Sequence, residues 1–276
     1  MAHRPIITLT TDFGLNDHFV GTLKGVILEI VPEASIVDIS HSVQPFDVLD
    51  GALTIAQAYS YFPAGTVHMV VVDPGVGSAR RPIIASSEKH HFVAPDNGVL
   101  SLVYSREERM NVQNITSDHY FLSPISKTFH ARDIFAPVSA YLAKGVDSGK
   151  FGELITDFVR FNAPKPKTLA PNQMRGVILK VDRFGNLVTN FTAQDVPALF
   201  QEAPPAFKIT IGKSDITEMK SAYADGNPKQ IFAIVGSMGY LEIAANRASA
   251  LQLIGSGKGS EVNLALEGAA AATNGQ

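Results

Sequence analysis

The sequence predicts two domains: an N-terminal α/β domain with a central, mostly parallel sheet, and a smaller C-terminal antiparallel β-barrel domain. Three observations carry this prediction. Strand and helix patterns alternate over the first part of the chain, a proline-containing segment follows, and short strand patterns separated by turns fill the remainder. The chain has 276 residues, 45% of them hydrophobic, so it can bury more than one core. The predicted boundaries are 1–160 for the α/β domain, 161–173 for a linker, 174–267 for the barrel and 268–276 for a disordered tail.

In the first domain, short β-branched runs alternate with apolar residues at helical spacing. Pro32 ends the first helical pattern, because a proline inside a helix removes a backbone donor. Alternation of this kind predicts crossover connections between parallel strands. Strands are predicted at 6–10, 35–39, 67–72, 82–86 and 91–94, and helices at 19–31, 48–61, around Leu102 and Tyr104, and at 134–142.

The second domain has a different pattern of predicted secondary structure. The linker that precedes it contains Pro164, Pro166 and Pro171 and is expected to be extended. Beyond it, no long helical pattern is present, and the short strands favour an antiparallel barrel. Those strands are predicted at 176–181, 187–190, 207–211, 230–235, 240–244 and 261–266.

Composition narrows the function classes. The formal net charge is −3, so no positive field draws the chain to nucleic acid or to an anionic membrane. No apolar run is long enough to span a bilayer, and no signal-peptide pattern is present. Without cysteine, disulfides and thiolate metal sites are excluded. We therefore expect a soluble, cytoplasmic protein.

The segment 73–81, which reads Asp-Pro-Gly-Val-Gly-Ser-Ala-Arg-Arg, follows the most apolar strand pattern. A carboxylate there lies at the carboxyl edge of the sheet, where open α/β folds hold their ligands. Pro74 and two glycines force a tight loop that can bring Arg80 or Arg81 back toward Asp73. The alternative is an Asx-type turn with solvated arginines.

Further charged residues fall at comparable positions. Asp12 ends the first strand pattern, and His130 precedes the helix predicted at 134–142. Each has an ordinary explanation, a helix cap for Asp12 and local packing for His130. Together with Asp73 and Arg80, they would give one site an acid, a base and a fixed cation for handling a proton.

No metal site is expected. The eight histidines lack metal-ligand spacing, and cysteine is absent. His90 and His91 are adjacent, but neighbouring residues of a strand face opposite ways, so a solvated pair is the expected arrangement.

The second domain has a polar segment at 181–190. One interpretation is a β-hairpin turned by residues 183–186. The other is a ligand edge, in which Phe184 offers a stacking face, Asn186 a donor and an acceptor, and Asp182 an acceptor. The turn at 237–247, which includes Tyr240 and Glu242, would complete a purine pocket.

Taken together, these segments resemble the S-adenosylmethionine hydroxide adenosyltransferases, the hydrolase relatives of the fluorinating and chlorinating 5′-halogenases. The resemblance extends over nearly the whole chain, and its motifs follow in the same order. The segment Ala245-Asn246-Arg247 departs from the halogenase sequences. The motifs are Thr10-Thr11-Asp12-Phe13-Gly14, His41-Ser42-Val43-Gln44-Pro45-Phe46-Asp47, Asp73-Pro74-Gly75-Val76-Gly77, Pro95-Asp96-Asn97-Gly98, Phe129-His130-Ala131-Arg132-Asp133, Val159-Arg160-Phe161, Phe184-Gly185-Asn186 and Ser237-x-Gly239-Tyr240-Leu241.

The resemblance implies hydrolysis of S-adenosyl-L-methionine to adenosine and L-methionine, by attack of water or hydroxide at C5′. It places the catalytic triad on Asp73, Arg80 and His130. It also implies a homotrimer, with each active site between the N-terminal domain of one subunit and the C-terminal domain of the next. The alternatives are a halogenase, against which an ionised Asp73 argues by repelling halide, and a nucleoside-binding protein without turnover. No cofactor is implied, since S-adenosyl-L-methionine is the substrate.

The resemblance also assigns residues to parts of the substrate. Asp12 would hold the ribose hydroxyls, and Asp17 would meet the methionine end. The remaining expectations are Asp182 and Ser237 at the methionine end, Phe184 and Asn186 at the adenine, Phe46, Phe129 and Tyr223 as apolar walls, and Tyr240 and Glu242 within the same binding set.

Overall fold

The computed structural model describes residues 4–266. The chain divides into two compact units, one ending at Asn162 and one beginning at Ala163. Each unit is built on its own sheet. The tail predicted at 268–276 lies outside the described residues.

The first unit contains a six-stranded sheet with the order β2-β1-β3-β5-β4-β6. Its strands are β1 (Ile6–Thr11), β2 (Ser35–Ser40), β3 (Val67–Val71), β4 (Pro82–Ser86), β5 (His91–Pro95) and β6 (Asn111–Asn114). β1 pairs in parallel with β2 and β3, and β3 pairs in parallel with β5. Only β4 runs the other way, between β5 and β6. The predicted mostly parallel sheet is confirmed.

Helices cover both faces of this sheet. They are α1 (Phe19–Ile30), α2 (Val48–Ala58), α3 (Ser101–Tyr104) and α4 (Ala136–Ala143). Successive residues of β3 serve opposite faces: Met69 and Val71 pack in the core that contains α1 and α4, whereas Val70 and Val72 pack in the core that contains α2 and α3. Burial on both faces explains why this strand is apolar at every position except His68.

Helix ends follow the local sequence. The side chain of Asp47 caps α2 by accepting a hydrogen bond from the backbone N–H of Asp50. α1 buries Val20, Leu23 and Ile27 and ends just before Pro32, as predicted.

The second unit is an eight-stranded, antiparallel, barrel-like sheet. Seven strands follow the order β11-β10-β14-β8-β9-β13-β12, and β7 adds to β8. The two terminal strands, β11 and β12, contact each other. A short helix, α5 (Ala250–Ile254), is capped by Ser249. The strands are β7 (Lys167–Ala170), β8 (Gln173–Val181), β9 (Leu187–Thr192), β10 (Phe207–Ile211), β11 (Ser214–Ile216), β12 (Ile231–Val235), β13 (Tyr240–Ala245) and β14 (Glu261–Leu266).

Part of the segment predicted as linker belongs to this sheet. β7 lies within 161–173 and pairs with β8. Its residues follow Pro166 and precede Pro171, so all four retain the backbone N–H groups that a ladder needs. These four residues are extended, as expected, and in addition they join the sheet of the second unit.

The prediction of a solvated His90–His91 pair is wrong. The two rings have different partners, and Nδ1 of His91 lies 2.8 Å from the Ser86 hydroxyl. His90 is buried, however, and its Nδ1 lies 3.4 Å from Nε2 of the fully buried His68. Rings of Tyr59 and Phe92 surround the pair, so the aromatic core of this unit accommodates both imidazoles.

Candidate active site

The loop after β3 folds back on itself. The backbone N–H of Ser78 donates to the carbonyl of Gly75 (3.1 Å), and the Ser78 hydroxyl donates to the same carbonyl (2.6 Å). The N–H of Arg80 in turn donates to the Ser78 hydroxyl (3.3 Å). Gly77 adopts a φ of 78°, a conformation that glycine reaches without steric cost. The loop thereby returns Arg80 to Asp73 at the carboxyl edge of the sheet.

Arg80 and Asp73 form a nearly buried ion pair. Nε of Arg80 donates to both carboxylate oxygens (3.1 and 3.0 Å), and Nη2 donates to Oδ2 (2.5 Å). Their side chains are only 8% and 5% exposed. The neighbouring Arg81 turns away and pairs with Asp96 and Asp157. Of the two arginines that the sequence offered as partners of Asp73, Arg80 is the one that binds it.

His130 extends this pair into a row of three. Nη2 of Arg80 lies 2.9 Å from Nδ1 of His130. A guanidinium can only donate, so Nδ1 must be the acceptor and the ring proton of the neutral imidazole lies on Nε2. Burial and the Arg80 charge lower the pKa of His130, against the opposing influence of Asp73 and Asp133. The neutral form is therefore favoured at neutral pH.

A wide turn presents His130. Residues Ala131–Phe135 form one π-helical turn ahead of α4, where the sequence predicted a regular helix from 134. At its far end, the ring of Phe135 faces the guanidinium of Arg80 at 5.2 Å. One short turn thus supplies two contacts to the same arginine.

Asp12 lies at the same sheet edge as Asp73. The strands that precede the two carboxylates, β1 and β3, are parallel neighbours, with Thr11 opposite Val71. Oδ2 of Asp12 accepts the backbone N–H of Phe46 (2.8 Å), which has a φ of 66° and is 74% exposed. The carboxylate therefore holds a backbone conformation that is unfavourable for a side chain as bulky as phenylalanine.

The two other predicted residues of this unit differ in their surroundings. Asp17 is exposed. Phe129 packs in an aromatic cluster with Phe13 and Phe19, at ring-centroid distances of 6.3 and 5.3 Å.

In the second unit, Asp182 organises the turn between β8 and β9. Its Oδ1 accepts the backbone N–H groups of Phe184 (2.9 Å) and Asn186 (2.8 Å), and its Oδ2 accepts the Asn186 side-chain amide (2.8 Å). Gly185 adopts a φ of 84°, and a Cβ there would lie 2.1 Å from the Ser249 hydroxyl. Phe184, at the tip, is 78% exposed. The segment is therefore a hairpin turn, and the same turn exposes the Phe184 ring that the ligand-edge interpretation requires.

An open cavity of about 750 Å³ adjoins this turn. Predicted and unpredicted residues meet in it. The predicted ones are Asp182, Phe184, Asn186, Tyr223, Ser237 and Glu242. Met238 and Arg247 belong to the turn 237–247 predicted to complete the pocket, and Lys180 was missed by the sequence analysis. Tyr240 belongs to β13 and is not among the described residues that line it.

Strand pairing explains the floor of the cavity. Val188 of β9 lies opposite Lys180 of β8 on one side and Glu242 of β13 on the other. Strand alternation was a usable signal for Lys180, because it stands two residues before Asp182 and so shares its face. Glu242 is buried and accepts the Tyr223 hydroxyl (3.3 Å). Burial and the nearby Asp182 raise the pKa of Glu242.

Within the described range 4–266, no cluster of three or more histidine or carboxylate side chains is arranged to hold a metal ion.

Family models match both units. The model of the SAM hydroxide adenosyltransferase N-terminal domain matches residues 7–152, and that of the C-terminal domain matches residues 176–263. This chain belongs to the SAM hydroxide adenosyltransferase family. The first match contains Asp73, Arg80 and His130, and the second contains the cavity-lining residues.

Individual relatives agree with the family assignment. The (R)-S-adenosyl-L-methionine hydrolase of Salinispora tropica is 35% identical over 92% of this chain and 95% of its own. The fluorinase of Nocardia brasiliensis is 30% identical over 89% of this chain and 92% of its own. The crystal structure of an uncharacterized conserved protein from Thermotoga maritima superposes with a TM-score of 0.86 at 34% identity, covering 94% of this chain and 99% of that one. The predicted family and the predicted two-domain fold are both confirmed.

Proposed function

We propose that this protein hydrolyses S-adenosyl-L-methionine to adenosine and L-methionine, by attack of water or hydroxide at C5′. The observation that carries the proposal is the hydrogen-bonded row of Asp73, Arg80 and His130 at the carboxyl edge of the parallel sheet. The hydrolase from Salinispora tropica supports the choice of reaction. Because its name specifies the (R)-epimer, we propose that this chain also prefers the (R)-sulfonium.

Each member of the row has one role in the proposal. Oδ2 of Asp73 accepts two N–H groups of Arg80 and Oδ1 accepts one, so Oδ1 keeps more acceptor capacity for the proton lost by the attacking water. Arg80 stabilises the developing hydroxide as a permanent cation. His130, neutral and protonated on Nε2, donates a hydrogen bond that holds the water oxygen.

The leaving group explains why this small set of groups suffices. Methionine leaves as a neutral thioether, so no general acid is required, and the remaining need is an in-line nucleophile. The substrate cation and the developing hydroxide neutralise each other as C5′ is attacked. A dry pocket therefore lowers the barrier, because charge disappears in the transition state.

For substrate binding, we propose that Asp12 holds the ribose hydroxyls, that Phe46 walls the sugar and sulfonium, and that Asp17 meets the methionine end. The exposure of Phe46 supports a binding role, since its strained backbone presents the ring to solvent instead of to the core.

Residues of the second unit supply the rest of the proposed site. Asp182 and Ser237 would meet the methionine end, and Phe184 would stack on adenine. The Asn186 amide nitrogen is committed to Asp182, and none of the described hydrogen bonds uses its Oδ1, which suits acceptance of the adenine amino group. Phe129, Tyr223, Tyr240 and Glu242 remain proposed members of the binding set.

We propose a homotrimer in which the first unit of one subunit and the second unit of the next serve one substrate. Subunit mixing tests this directly. An Asp73→Ala chain and an Asn186→Ala chain, each inactive alone, should regain activity when dissociated together and reassembled, and light scattering should give three chains per particle. No recovery, or a monomer of full activity, would contradict the arrangement.

The reaction itself is tested with isotopically heavy water. Purified protein, (R)-S-adenosyl-L-methionine and ¹⁸O water should give adenosine labelled in its 5′-hydroxyl, and the (S)-epimer should react more slowly. Unlabelled adenosine would refute attack at C5′. Formation of 5′-haloadenosine when halide is added would identify a halogenase, and ligand binding without product would identify a nucleoside-binding protein.

The role of Asp73 has its own test. Asp73→Ala should lose turnover while retaining much of the affinity for the substrate, because the carboxylate is assigned to the water and not to the ligand. Normal turnover in this variant would show that the triad is misassigned.

We further propose that the reaction needs no cofactor.

In the described residues, no helix is long and apolar enough to cross a membrane. The cytoplasmic location expected from the sequence stays a prediction that cell fractionation would check.

A further inference from the structure

A second buried carboxylate stands three residues after His130. Asp133 is fully buried, and its side chain touches neither Asp73 nor Arg80 in any described hydrogen bond. Nε and Nη2 of Arg132 donate to its Oδ1 (2.6 Å) and Oδ2 (2.9 Å). Oδ2 also accepts the backbone N–H of Ser126 (2.7 Å). A buried ion pair often contributes less to stability than a well-packed apolar side chain would, so stability alone does not account for this carboxylate.

The contacts of Asp133 fix both ends of the segment that carries Phe129 and His130. At its start, Ser126 is held by the carboxylate, and the N–H of Phe129 donates back to the Ser126 carbonyl (3.4 Å). At its end, the N–H groups of Arg132 and Asp133 both donate to the Phe129 carbonyl (3.1 and 3.2 Å). The guanidinium of Arg132 also faces the ring of Phe129 at 5.2 Å. The carboxylate thus closes a compact loop around the residue before His130.

The same carboxylate lies inside the π-helical turn Ala131–Phe135. This turn begins immediately after His130, which contacts Arg80, and ends at Phe135, whose ring faces the same guanidinium. π-helical turns occur frequently at functional sites, where the extra residue re-aims a side chain. Here the turn sets the spacing between two groups that converge on Arg80.

The segment 126–130 also packs against the loop 73–81, which contains Asp73 and Arg80. A Cβ built on Gly77 would lie 2.3 Å from the carbonyl oxygen of Lys127. The two backbones approach this closely only because residue 77 is glycine. Displacing the segment 126–130 would therefore change the separation between His130 and the Asp73–Arg80 pair.

We propose that Asp133 is a positioning residue of the hydrolysis: by holding Ser126 and Arg132 together, it fixes the segment so that Nδ1 of His130 accepts from Arg80 and Nε2 faces the attacking water. The inference rests on the proposed function for its catalytic consequence. Its structural half, the placement and tautomer of His130, does not depend on any turnover.

The test substitutes Asp133→Asn, which keeps the shape of the side chain but replaces one acceptor by a donor. We expect kcat to fall roughly 10- to 100-fold, because small displacements of a catalytic group have effects of that size, while KM stays within about threefold. Asp157→Asn is the matched control: it removes an exposed carboxylate from Arg81 in the same unit, and its kcat should stay close to wild type.

A second measurement is independent of activity. In protein labelled with ¹⁵N-histidine, the ring nitrogens of His130, assigned with His130→Ala, report which one carries the proton. Wild type should show a single form protonated on Nε2, and Asp133→Asn should show a mixture of the two neutral tautomers. The charged groups acting on this ring are Arg80, Asp73 and Asp133.

The outcomes separate the two proposals. A folded Asp133→Asn with unchanged kcat, or with reduced kcat and unchanged His130 signals, overturns the positioning role. If wild type makes no adenosine, the proposed function fails, and the nitrogen signals alone decide whether Asp133 sets the tautomer. Should Asp133→Asn not fold, Arg132→Gln removes the same ion pair at a partly exposed position and is expected to shift the same signals.

Discussion

The guanidinium of Arg80 binds Asp73 and His130 at once, and the substitution Arg80→Lys tests this arrangement quantitatively. Arginine donates from two nitrogens to Asp73 and, through Nη2, to His130 at the same time. A lysine ammonium keeps the charge but is a single point, so it cannot reproduce the planar fork. We expect it to retain one strong contact to Asp73 and to release Nδ1 of His130.

The magnitudes follow from the burial of the pair. A hydrogen bond to a charged group contributes about 1.5–3 kcal/mol, and the loss of one to two of them from side chains only 8% and 5% exposed should lower the free energy of unfolding by about 3 kcal/mol. A protein with only about 5 kcal/mol of stability would still be about 97% folded. Turnover should fall by roughly 100- to 1,000-fold, as it does when one donor to a developing oxyanion is removed. Unfolding therefore cannot explain the expected loss of turnover.

The assay measures adenosine formation at saturating S-adenosyl-L-methionine, together with urea unfolding of the same preparation. Arg81→Lys is the control, since the adjacent arginine forms comparable ion pairs with Asp96 and Asp157 but is directed away from the row. Its turnover should remain within about threefold of wild type. The reasoning is refuted if Arg80→Lys turns over within threefold of wild type, or if Arg81→Lys loses as much.

Three further predictions test the scaffold and the chemistry. Gly77→Ala places a Cβ against the Lys127 carbonyl at a φ of 78°, so it should lower turnover and should lower the free energy of unfolding by about 1–3 kcal/mol. The control Gly25→Ala lies in open space on α1 and should be neutral or stabilising. Equal unfolding curves for the two variants would contradict the argument that the two backbones approach closely at Gly77. Burial lowers the pKa of His68 from 6.5 to about 3, so the unfolded chain binds a proton at a higher pH than the folded chain and stability decreases as the pH falls below about 6.5. The free energy of unfolding, measured with urea, should therefore drop between pH 7 and pH 5 by about 2 kcal/mol less in His68→Gln than in wild type. Exhaustive chelation should leave the rate of adenosine formation unchanged, and a loss restored by one added metal would contradict the proposed chemistry.

The sequence predicted those parts of the fold that follow from periodicity. Apart from His68, β3 is an apolar run because both of its faces are covered, and Asp73 follows it at the sheet edge. Parallel pairing with β1 then brings Asp12 to the same edge. The strand pattern and the place of Asp73 depend on residues close together in the chain. The meeting of Asp12 and Asp73 follows from the rule that parallel strands end at the same sheet edge.

Other features depend on groups that are distant in sequence. The choice between Arg80 and Arg81 depends on Asp96, which follows β5 and binds the Arg81 guanidinium. The burial of His90 depends on the ring of Tyr59, 31 positions earlier in the numbering. No local pattern carries such information. Lys180 differs, because strand alternation from Asp182 would have placed it in the cavity.

The charge of the row bears on the choice between water and halide as nucleophile. Asp73 carries one negative charge, Arg80 one positive charge, and His130 is held neutral because its Nδ1 accepts from a permanent donor. The sum is zero. A halide is a full anion before it attacks, so it would have to shed its water beside the ionised Asp73 carboxylate, and burying two like charges together is unfavourable.

Water meets different conditions at the same row. It is neutral, it can donate to Asp73 and accept from Nε2 of His130, and it develops negative charge only as it attacks the sulfonium carbon. In the proposed mechanism, Asp73 takes the proton that water loses, whereas a halide has no proton to give. In the proposed mechanism, the Asp73 carboxylate is therefore the group that favours hydrolysis over halogenation in a chain 30% identical to a fluorinase.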